Sequence, residues 1–391
     1  MEKVSREELE RDQEEYCRLW DRFGKLMRPV LRLVFRYKGE MIPELEGPVL
    51  LLYNHTTDID FAFLAASSGT KGYFVITSTV ERKGRIGKWA SKKFHFILHD
   101  KGGPGIATAR TMLERMKWGY GIVLAPEGNR TFSGETCPIP LSTGRLARIS
   151  GATLVTYRIS GGYLSTPRWG RGIRRGRMQG RVMGIYSPET LKAMSAGEIW
   201  SQIEKDLKAD AFEEQKAAPL RFRKRNRAEY LETLIYLCPH CRSFDTMLSK
   251  GDTLSCGCGY FMRYSEYGYL KDRSGRKCTV SVLDKGQKKM LKVISDRADS
   301  SSVLFSDRLI QQTIDDSGQL TEERKVTMSA YKDMLKINDS MMPWEEIQAV
   351  SIVQRNMLIL HIKGQKEHFE YKGSPRFNAV KYMDLFSTYN G

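Results

Sequence analysis

The sequence has no apolar run that could cross a membrane. A spanning helix requires ~20 consecutive apolar residues, and no stretch of the 391-residue chain approaches that length. The opening segment, MEKVSREELERDQEEY, is charged and has no apolar centre, so it does not resemble a secretory signal. From these two absences we expect a protein without membrane-spanning helices that works in the cytoplasm.

Cysteine is sparse and odd in number. Three of the seven cysteines are scattered, and the other four fall within residues 238–258. An odd count without an export signal argues against a disulfide framework, which is typical of small secreted domains. The four clustered cysteines therefore require a different explanation.

Acidic residues are outnumbered by basic ones. The chain has 46 acidic and 63 basic residues and a formal net charge of +17. Such an excess attracts nucleic acid, anionic lipid head groups or phosphorylated substrates, and composition does not choose among them. Residues 167–181 contain six arginines and no acid, and residues 221–227 contain five basic side chains. We interpret each as a solvated loop or an anion-binding segment, and the first is the better candidate for an anionic surface.

Residues 16–36 have the pattern of a basic amphipathic helix. Apolar side chains recur at helical spacing, and the basic residues lie mainly on the opposite face. This composition suits a helix in a bilayer interface, and it suits equally a helix packed on the core of its own domain. Pro29 is expected to kink the helix or to divide it.

Residues 48–210 alternate short apolar runs with helical patterns, including a helix predicted over 105–119. The predicted strands are PVLLLYN (48–54), YFVITS (73–78), FHFIL (94–98), GIVLAP (121–126) and ATLVTYRI (152–159). This alternation predicts an α/β domain with a largely parallel sheet.

From about residue 280 onward, apolar and polar residues alternate as in half-buried strands. The closing segment, SPRFNAVKYMDLFSTY, predicts a helix capped by Ser374, with Pro375 in its first turn. Several strands followed by one terminal helix resemble a pleckstrin-homology (PH) or GRAM-like module.

The clearest chemical signal is LLYNHTTDIDF, residues 51–61, where an apolar strand ends in His55. A histidine at the carboxyl end of a parallel strand lies at the edge where open α/β folds bind ligands. A carboxylate a few residues later can bond one ring nitrogen and leave the other free to act as a base. By spacing alone, both Asp58 and Asp60 are candidates for that carboxylate.

A second polar turn, PEGNRTFSG (126–134), follows the strand GIVLA and places Glu127 and Arg130 at the same predicted sheet edge. Arginine suits a phosphate because its planar fork donates hydrogen bonds in pairs. Together the two motifs resemble the glycerolipid acyltransferase family, which includes the lysophosphatidate acyltransferases. Its hallmark is a histidine, four residues and an aspartate, followed later by a Pro-Glu-Gly-x-Arg block, and it selects Asp60 as the partner of His55.

This resemblance implies an O-acyltransferase. The enzyme would move a fatty acyl group from a thioester of coenzyme A or acyl carrier protein to a lysophospholipid, by default 1-acylglycerol 3-phosphate, to give phosphatidate. His55 would take the proton from the acceptor hydroxyl, and Asp60 would orient the ring. The substrate-binding residues that the resemblance implies are Lys101, Glu127, Gly128 and Arg130. The two cations would hold the phosphate, Glu127 and Gly128 would shape the turn, and bonding an acceptor hydroxyl is a second role for Glu127.

The chain departs from the family pattern at some positions. Lys101 stands where the family usually has an arginine, so a cation is kept without the bidentate fork. Thr156 stands where the family has a proline in an apolar strand. These departures bear on which acceptor is used more than on the reaction.

The clustered cysteines occur as CPHC (238–241) and CGCG (256–259). Two such pairs match the knuckles of a zinc ribbon, in which four thiolates close a tetrahedral site. The predicted ligands of this structural zinc are Cys238, Cys241, Cys256 and Cys258. Four free buried thiols, or a redox pair, are the alternatives.

We therefore expect an α/β acyltransferase-type domain with an N-terminal amphipathic helix, followed by a small zinc ribbon and a mainly β, PH-like domain. The predicted boundaries are 1–40 for the amphipathic region, 41–215 for the acyltransferase domain, 216–235 for a basic linker helix, 236–272 for the ribbon and 277–391 for the PH-like domain. The expected partners are the lysophospholipid, the acyl donor and the anionic inner face of the cell membrane. A nucleic-acid-binding zinc protein would leave both motifs unexplained, and an inactive lipid-binding adaptor would leave His55 and Asp60 unexplained.

Overall fold

A computed structural model describes residues 5–68, 72–80, 85–99, 105–314, 323–365 and 368–390. The chain divides into two compact units. The first, here called the N-terminal unit, comprises Met1–Pro167 and Ile173–Phe222, and the second, the C-terminal unit, comprises Arg168–Gly172 and Arg223–Gly391.

The N-terminal unit alternates helices and strands as the sequence predicts. Its helices are α1 (Arg6–Phe35), α2 (Asp60–Ser67), α3 (Arg85–Lys93), α4 (Ile106–Lys117), α5 (Ser142–Ile149), α6 (Gly162–Ser165), α7 (Pro188–Ala193), α8 (Ala196–Leu207) and α9 (Ala211–Ala217). Its strands are β1 (Lys38–Gly39), β2 (Val49–Tyr53), β3 (Gly72–Thr77), β4 (Ile97–His99), β5 (Gly121–Leu124), β6 (Thr153–Ser160) and β7 (Gln179–Tyr186).

These strands form one seven-stranded sheet in the order β1-β7-β6-β2-β5-β3-β4. Pairing is parallel throughout, except that β7 runs antiparallel to β6. All five residues of β2 are buried, as expected for a central parallel strand covered on both faces. Separate apolar clusters cover the two faces; α1 contributes to both of them, and α2 to one. The carboxyl ends of β2 and β5 therefore lie side by side at one edge of the sheet.

Helix α1 packs on the core of its own unit, which is one of the two alternatives for the amphipathic segment. Trp20, Leu31 and Phe35 are at most 3% exposed and belong to the cluster that covers one face of the sheet. The helix is continuous through the exposed Pro29 and is not divided there. Among the described helices, none combines the length and the hydropathy that a membrane span requires.

In the part of the C-terminal unit that the structure describes, there are two antiparallel sheets and two α-helices. A five-stranded sheet, in the order β12-β11-β10-β9-β8, follows the first cysteine pair. A seven-stranded sheet has the order β16-β15-β14-β13-β19-β18-β17. Its first and last strands along the chain, β13 and β19, therefore pair with each other in the middle of the sheet. The strands are β8 (Met247–Lys250), β9 (Thr253–Cys256), β10 (Phe261–Tyr264), β11 (Leu270–Lys271), β12 (Lys277–Cys278), β13 (Phe305–Ile314), β14 (Arg324–Ala330), β15 (Met334–Ile337), β16 (Ser340–Pro343), β17 (Ile347–Val353), β18 (Met357–Ile362) and β19 (His368–Lys372). The helices are α10 (Val280–Arg297) and α11 (Val380–Asn390).

Two helix predictions are corrected here. The basic linker helix expected over 216–235 ends at Ala217, because Pro219 lies just beyond and disfavours a continued helix. Helix α11 begins at Val380, five residues after Pro375. Asn378, and not Ser374, accepts the hydrogen bond from the Lys381 N–H at its first turn, at 3.1 Å.

The C-terminal unit also includes five residues, Arg168–Gly172, that interrupt the sequence of the N-terminal unit. The Arg168 side chain donates to the carbonyl oxygens of Ile352, at 2.6 Å, and Gln354, at 2.9 Å. Trp169 is 2% exposed, and its ring meets that of Tyr264 edge to face at 5.6 Å. The first arginine of the arginine-rich segment is therefore a structural contact.

Candidate active site and metal centre

His55 lies two residues after the end of β2, and Asp60 is the first residue of α2. The turn between them brings Asp60 Oδ2 to 2.8 Å from His55 Nδ1. Asp60 is 1% exposed and the His55 side chain is 30% exposed. Because a carboxylate only accepts hydrogen bonds, Nδ1 carries the ring hydrogen and Nε2 keeps its lone pair. The pair has the arrangement of a general base held by an orienting carboxylate.

The buried Asp60 carboxylate also organises the turn around it. Its oxygens accept from the backbone N–H of Thr56 at 2.8 Å and of Thr57 at 3.0 Å. The Thr57 hydroxyl donates to Oδ1 at 2.7 Å. These donors compensate the burial of the charge, and they fix the position of the carboxylate before any substrate binds.

Glu127, in the turn after β5, connects the two motifs. Its Oε1 accepts from the backbone N–H of His55 at 2.7 Å, and its Oε2 accepts from the N–H of Cys137 at 2.6 Å. Burial raises the pKa of Glu127 to about 8, and these two backbone hydrogen bonds oppose that rise. Both carboxylate oxygens therefore hold main chain, one of them at the histidine itself.

Gly128 and Arg130 lie in the same turn as Glu127. Gly128 has φ +64°, a left-handed conformation that glycine adopts without steric cost. Arg130 is 8% exposed, and its Nη1 lies 2.5 Å from Oδ2 of Asp58. Its Nη2 donates to the Thr166 carbonyl. Lys101, the other predicted phosphate ligand, lies outside the described residues.

The structure thus brings together His55, Asp60, Glu127, Gly128 and Arg130 at the carboxyl ends of neighbouring strands. It also gives positions to two residues that the sequence left without a role. The amide of Asn54 bonds both backbone groups of Ile159 in β6, at 2.9 Å and 2.6 Å. The Thr131 N–H donates to the His55 carbonyl at 3.1 Å. Their positions beside the two motifs were the only signal available in the sequence.

Thr156, in place of the family's proline, has a structural explanation. Its hydroxyl donates to Asp206 of α8 at 2.7 Å. The same carboxylate accepts from Tyr186 at 2.7 Å and from Gln202 at 2.8 Å. This buried network fastens α8 to the sheet, away from His55.

The four clustered cysteines of the C-terminal unit converge on one point. Their sulfur atoms all lie within 4.8 Å of one another. Cys238 Sγ is 3.6 Å from Cys258 Sγ, and Cys241 Sγ is 3.7 Å from Cys256 Sγ. A tetrahedral zinc with Zn–S bonds of ~2.3 Å requires sulfur atoms ~3.8 Å apart. The distances fit a tetrathiolate metal site and are far longer than a disulfide bond of ~2.05 Å.

Residues 34–160 match the family model described as Acyltransferase, over about a third of the chain. The chain therefore contains an acyltransferase domain, and both motifs fall within it.

Two solved structures show a partial likeness to the chain. The crystal structure of the 1-acyl-sn-glycerophosphate acyltransferase PlsC from Thermotoga maritima is 18% identical, with a TM-score of 0.45, over 55% of this chain and 86% of that one. A structure of the PH and C1 domains of the Vav1 exchange factor is 11% identical, with a TM-score of 0.18, over 28% of this chain and 34% of that one. Both TM-scores lie below 0.5, and neither likeness establishes a shared fold.

Proposed function

We propose that the N-terminal unit transfers a fatty acyl group from a thioester donor to the hydroxyl of a lysophospholipid, with 1-acylglycerol 3-phosphate as the acceptor and phosphatidate as the product. The observation that carries this proposal is the His55–Asp60 pair, in which a partly exposed imidazole is 2.8 Å from a buried carboxylate. The donor carrier is coenzyme A or acyl carrier protein. The acyltransferase domain supports the reaction class.

In this mechanism His55 Nε2 removes the proton from the acceptor hydroxyl as that oxygen attacks the thioester carbonyl carbon. A tetrahedral intermediate forms with its negative charge on the former carbonyl oxygen. The carbon–sulfur bond then breaks, and the departing thiolate takes the proton back from His55. Asp60 keeps the ring oriented and stabilises the imidazolium between the two steps. General-base catalysis of this kind contributes ~10²–10⁴-fold to the rate.

The other predicted site residues, three of them in the turn after β5, serve the same reaction. Arg130 and Lys101 hold the phosphate of the acceptor, since both are cations and Arg130 lies beside the histidine loop. Gly128 permits the left-handed turn that brings Glu127 back to the His55 N–H. Glu127 acts chiefly as a positioning residue, because both of its oxygens already bond main chain.

The test is acyl transfer from labelled acyl-CoA and from acyl carrier protein to a panel of lysolipids, with His55→Ala measured beside the wild type. We expect the variant to lose at least ~10²-fold in kcat while its circular dichroism and melting temperature are unchanged. Full activity in the folded variant would refute the mechanism. Vesicle binding without transfer to any acceptor would favour an inactive lipid-binding adaptor.

For the cofactor, a single zinc ion bound by Cys238, Cys241, Cys256 and Cys258 is part of the same proposal. The sulfur distances support it. A site closed by four thiolates has no open position for substrate, so the metal stabilises the C-terminal unit and takes no part in acyl transfer. The antiparallel β13–β19 sheet followed by α11 supports a PH-like arrangement in the same unit.

For the location, the protein binds the anionic inner face of the cell membrane from the cytoplasm. The support lies on α1, which exposes Leu26, Val30 and Leu33 by 66%, 42% and 72%. Arg32 and Arg36 lie exposed beside this apolar strip. Apolar side chains flanked by arginine suit the boundary between acyl chains and anionic head groups.

A further inference from the structure

Asp58 lies between His55 and Asp60 in the sequence, and it is neither the base nor the carboxylate that orients the base. Its carboxylate is 84% exposed, yet its Oδ2 lies 2.5 Å from Nη1 of Arg130, whose side chain is only 8% exposed. The other terminal nitrogen of Arg130 donates to the Thr166 carbonyl, so the guanidinium is held in place from a second side. The ion pair therefore joins a fixed, buried cation to an anion that reaches it from solvent.

A guanidinium binds carboxylate and phosphate oxygens with the same donors and the same geometry. The Asp58 carboxylate thus occupies the kind of position on Nη1 that a phosphate oxygen would take. We infer that Asp58 is a resident anion in the phosphate subsite on Arg130, and that the phosphate monoester of the acceptor displaces it. This inference rests on the proposed function and adds a residue that sets acceptor selectivity.

The burial of the two aspartates decides which of them can leave. Asp60 is 1% exposed and is bonded by His55 and by the turn, so its displacement would leave a buried charge without its donors. Asp58 returns to water when it is displaced, and an exposed partner of this kind gains little from its ion pair. Displacement is therefore confined to Asp58 and leaves the His55–Asp60 pair intact.

Competition within the protein has a measurable consequence. The apparent affinity of a ligand is reduced by the fraction of molecules whose site is already occupied. A dianionic phosphate monoester competes with the single carboxylate of Asp58 far better than a neutral head group does, because its two negative charges are attracted more strongly to Arg130. Asp58 therefore raises the KM of phosphate-bearing acceptors and leaves phosphate-free acceptors unaffected.

The experiment is Asp58→Asn, which keeps the size of the side chain and removes its charge. We expect the KM for 1-acylglycerol 3-phosphate to fall about three- to tenfold with kcat unchanged. The KM for 1-monoacylglycerol, which has no phosphate, should stay the same. Glu46→Gln is the matched control, because it removes an exposed carboxylate just before the opposite, amino end of β2.

A KM that is unchanged or raised in Asp58→Asn would refute the inference, and a raised value would identify Asp58 as a structural clamp. The effect must also depend on Arg130, so a fall in KM that persists at full size in an Arg130→Ala background would refute the subsite. Two changes that act through one interaction are not additive.

A binding measurement separates this inference from the proposed function. Calorimetric titration of wild type and Asp58→Asn with glycerol 3-phosphate reports the subsite without any turnover. Tighter binding by the variant, with no acyl transfer to any acceptor by either protein, would retain the subsite and overturn the proposed function. Acyl transfer by the wild type, together with equal glycerol 3-phosphate binding by both proteins, would retain the proposed function and overturn the role of Asp58.

Discussion

Substitution of Glu127 by glutamine tests how the second motif supports the first. The carboxylate accepts from the His55 N–H at 2.7 Å and from the Cys137 N–H at 2.6 Å. Glutamine has the same shape but only one accepting oxygen. In either orientation of the amide, its NH₂ group meets one of the two backbone donors, so a buried N–H loses its partner and the His55 turn moves.

The size of the effect follows from the hydrogen bond that is lost. A hydrogen bond to a charged group contributes ~1.5–3 kcal/mol. Because each ~1.4 kcal/mol corresponds to a tenfold change in rate, kcat should fall about 10- to 100-fold above about pH 8, where the Glu127 carboxyl is ionised in the wild type. The KM for the acceptor should change less than about threefold, because the bond that is lost holds the base and not the substrate.

The pH dependence gives a second readout. Burial raises the pKa of Glu127 to about 8 from an ordinary value of 4.5. The ionised form is the one that accepts both N–H groups, so wild-type kcat should rise as the pH increases through about 8, and this rise should be absent from Glu127→Gln. Because the folded protein holds this proton more tightly than the unfolded chain, the stabilising contribution of Glu127 is present below pH 4.5 and is lost as the pH rises through about 8. The free energy of unfolding should therefore decline less over that range in the variant.

Glu214→Gln is a suitable control, since burial also raises the pKa of that carboxyl and its partner is the Ser160 hydroxyl, not the histidine turn. Steady-state kinetics from pH 5.5 to 9.5 and thermal unfolding of the three proteins complete the assay. Wild-type kcat and an unaltered pH profile in Glu127→Gln would refute the positioning role. A large rise in acceptor KM at constant kcat would show instead that Glu127 bonds the acceptor hydroxyl.

Two further predictions concern the metal and the membrane. Cys241→Ser, or treatment with a strong chelator, should remove about one zinc per chain and lower the melting temperature of the C-terminal unit by at least ~10 °C, while His55-dependent transfer continues. Cys278→Ser is the control, and an unchanged zinc content in Cys241→Ser would contradict the tetrathiolate site. The double substitution Leu26→Glu and Leu33→Glu should weaken sedimentation with anionic vesicles at least ~10-fold. Ile149→Glu, at a side chain 65% exposed on α5, should leave vesicle binding unchanged. Equal binding by the wild type and both variants would show that the exposed apolar strip of α1 does not contact lipid.

The sheet of the N-terminal unit could be predicted because its central strands are unbroken apolar runs. A strand such as β2, buried at every residue, leaves a strong local signal. The approach of Asp60 to His55 was also predictable, because only four residues separate them and the family motif selects between the two aspartates. The partner of Glu127 was not, since the His55 N–H is 72 positions away in the chain and a backbone group has no sequence signature.

Helix α10 was not predicted, and its packing explains why. Four of the six residues that it buries are polar, namely Ser281, Asp284, Gln287 and Ser295, and only Val280 and Leu291 are apolar. Its inner face is therefore mostly polar. Gln287 accepts from the Tyr236 N–H and donates to the Leu234 carbonyl, each at 3.0 Å. A helix held by polar contacts to irregular chain lacks the periodic pattern from which helices are recognised.

The assignment of Arg168–Gly172 to the C-terminal unit makes the two units inseparable as linear segments. The chain changes unit at residues 167/168, 172/173 and 222/223, so no single cut releases either one whole. A gene fragment that ended at residue 222 would retain Trp169 but lose the Tyr264 ring on which it packs, leaving an uncovered indole. The C-terminal unit is therefore not a detachable appendage, and genetic exchange could transfer it intact only together with this short internal loop.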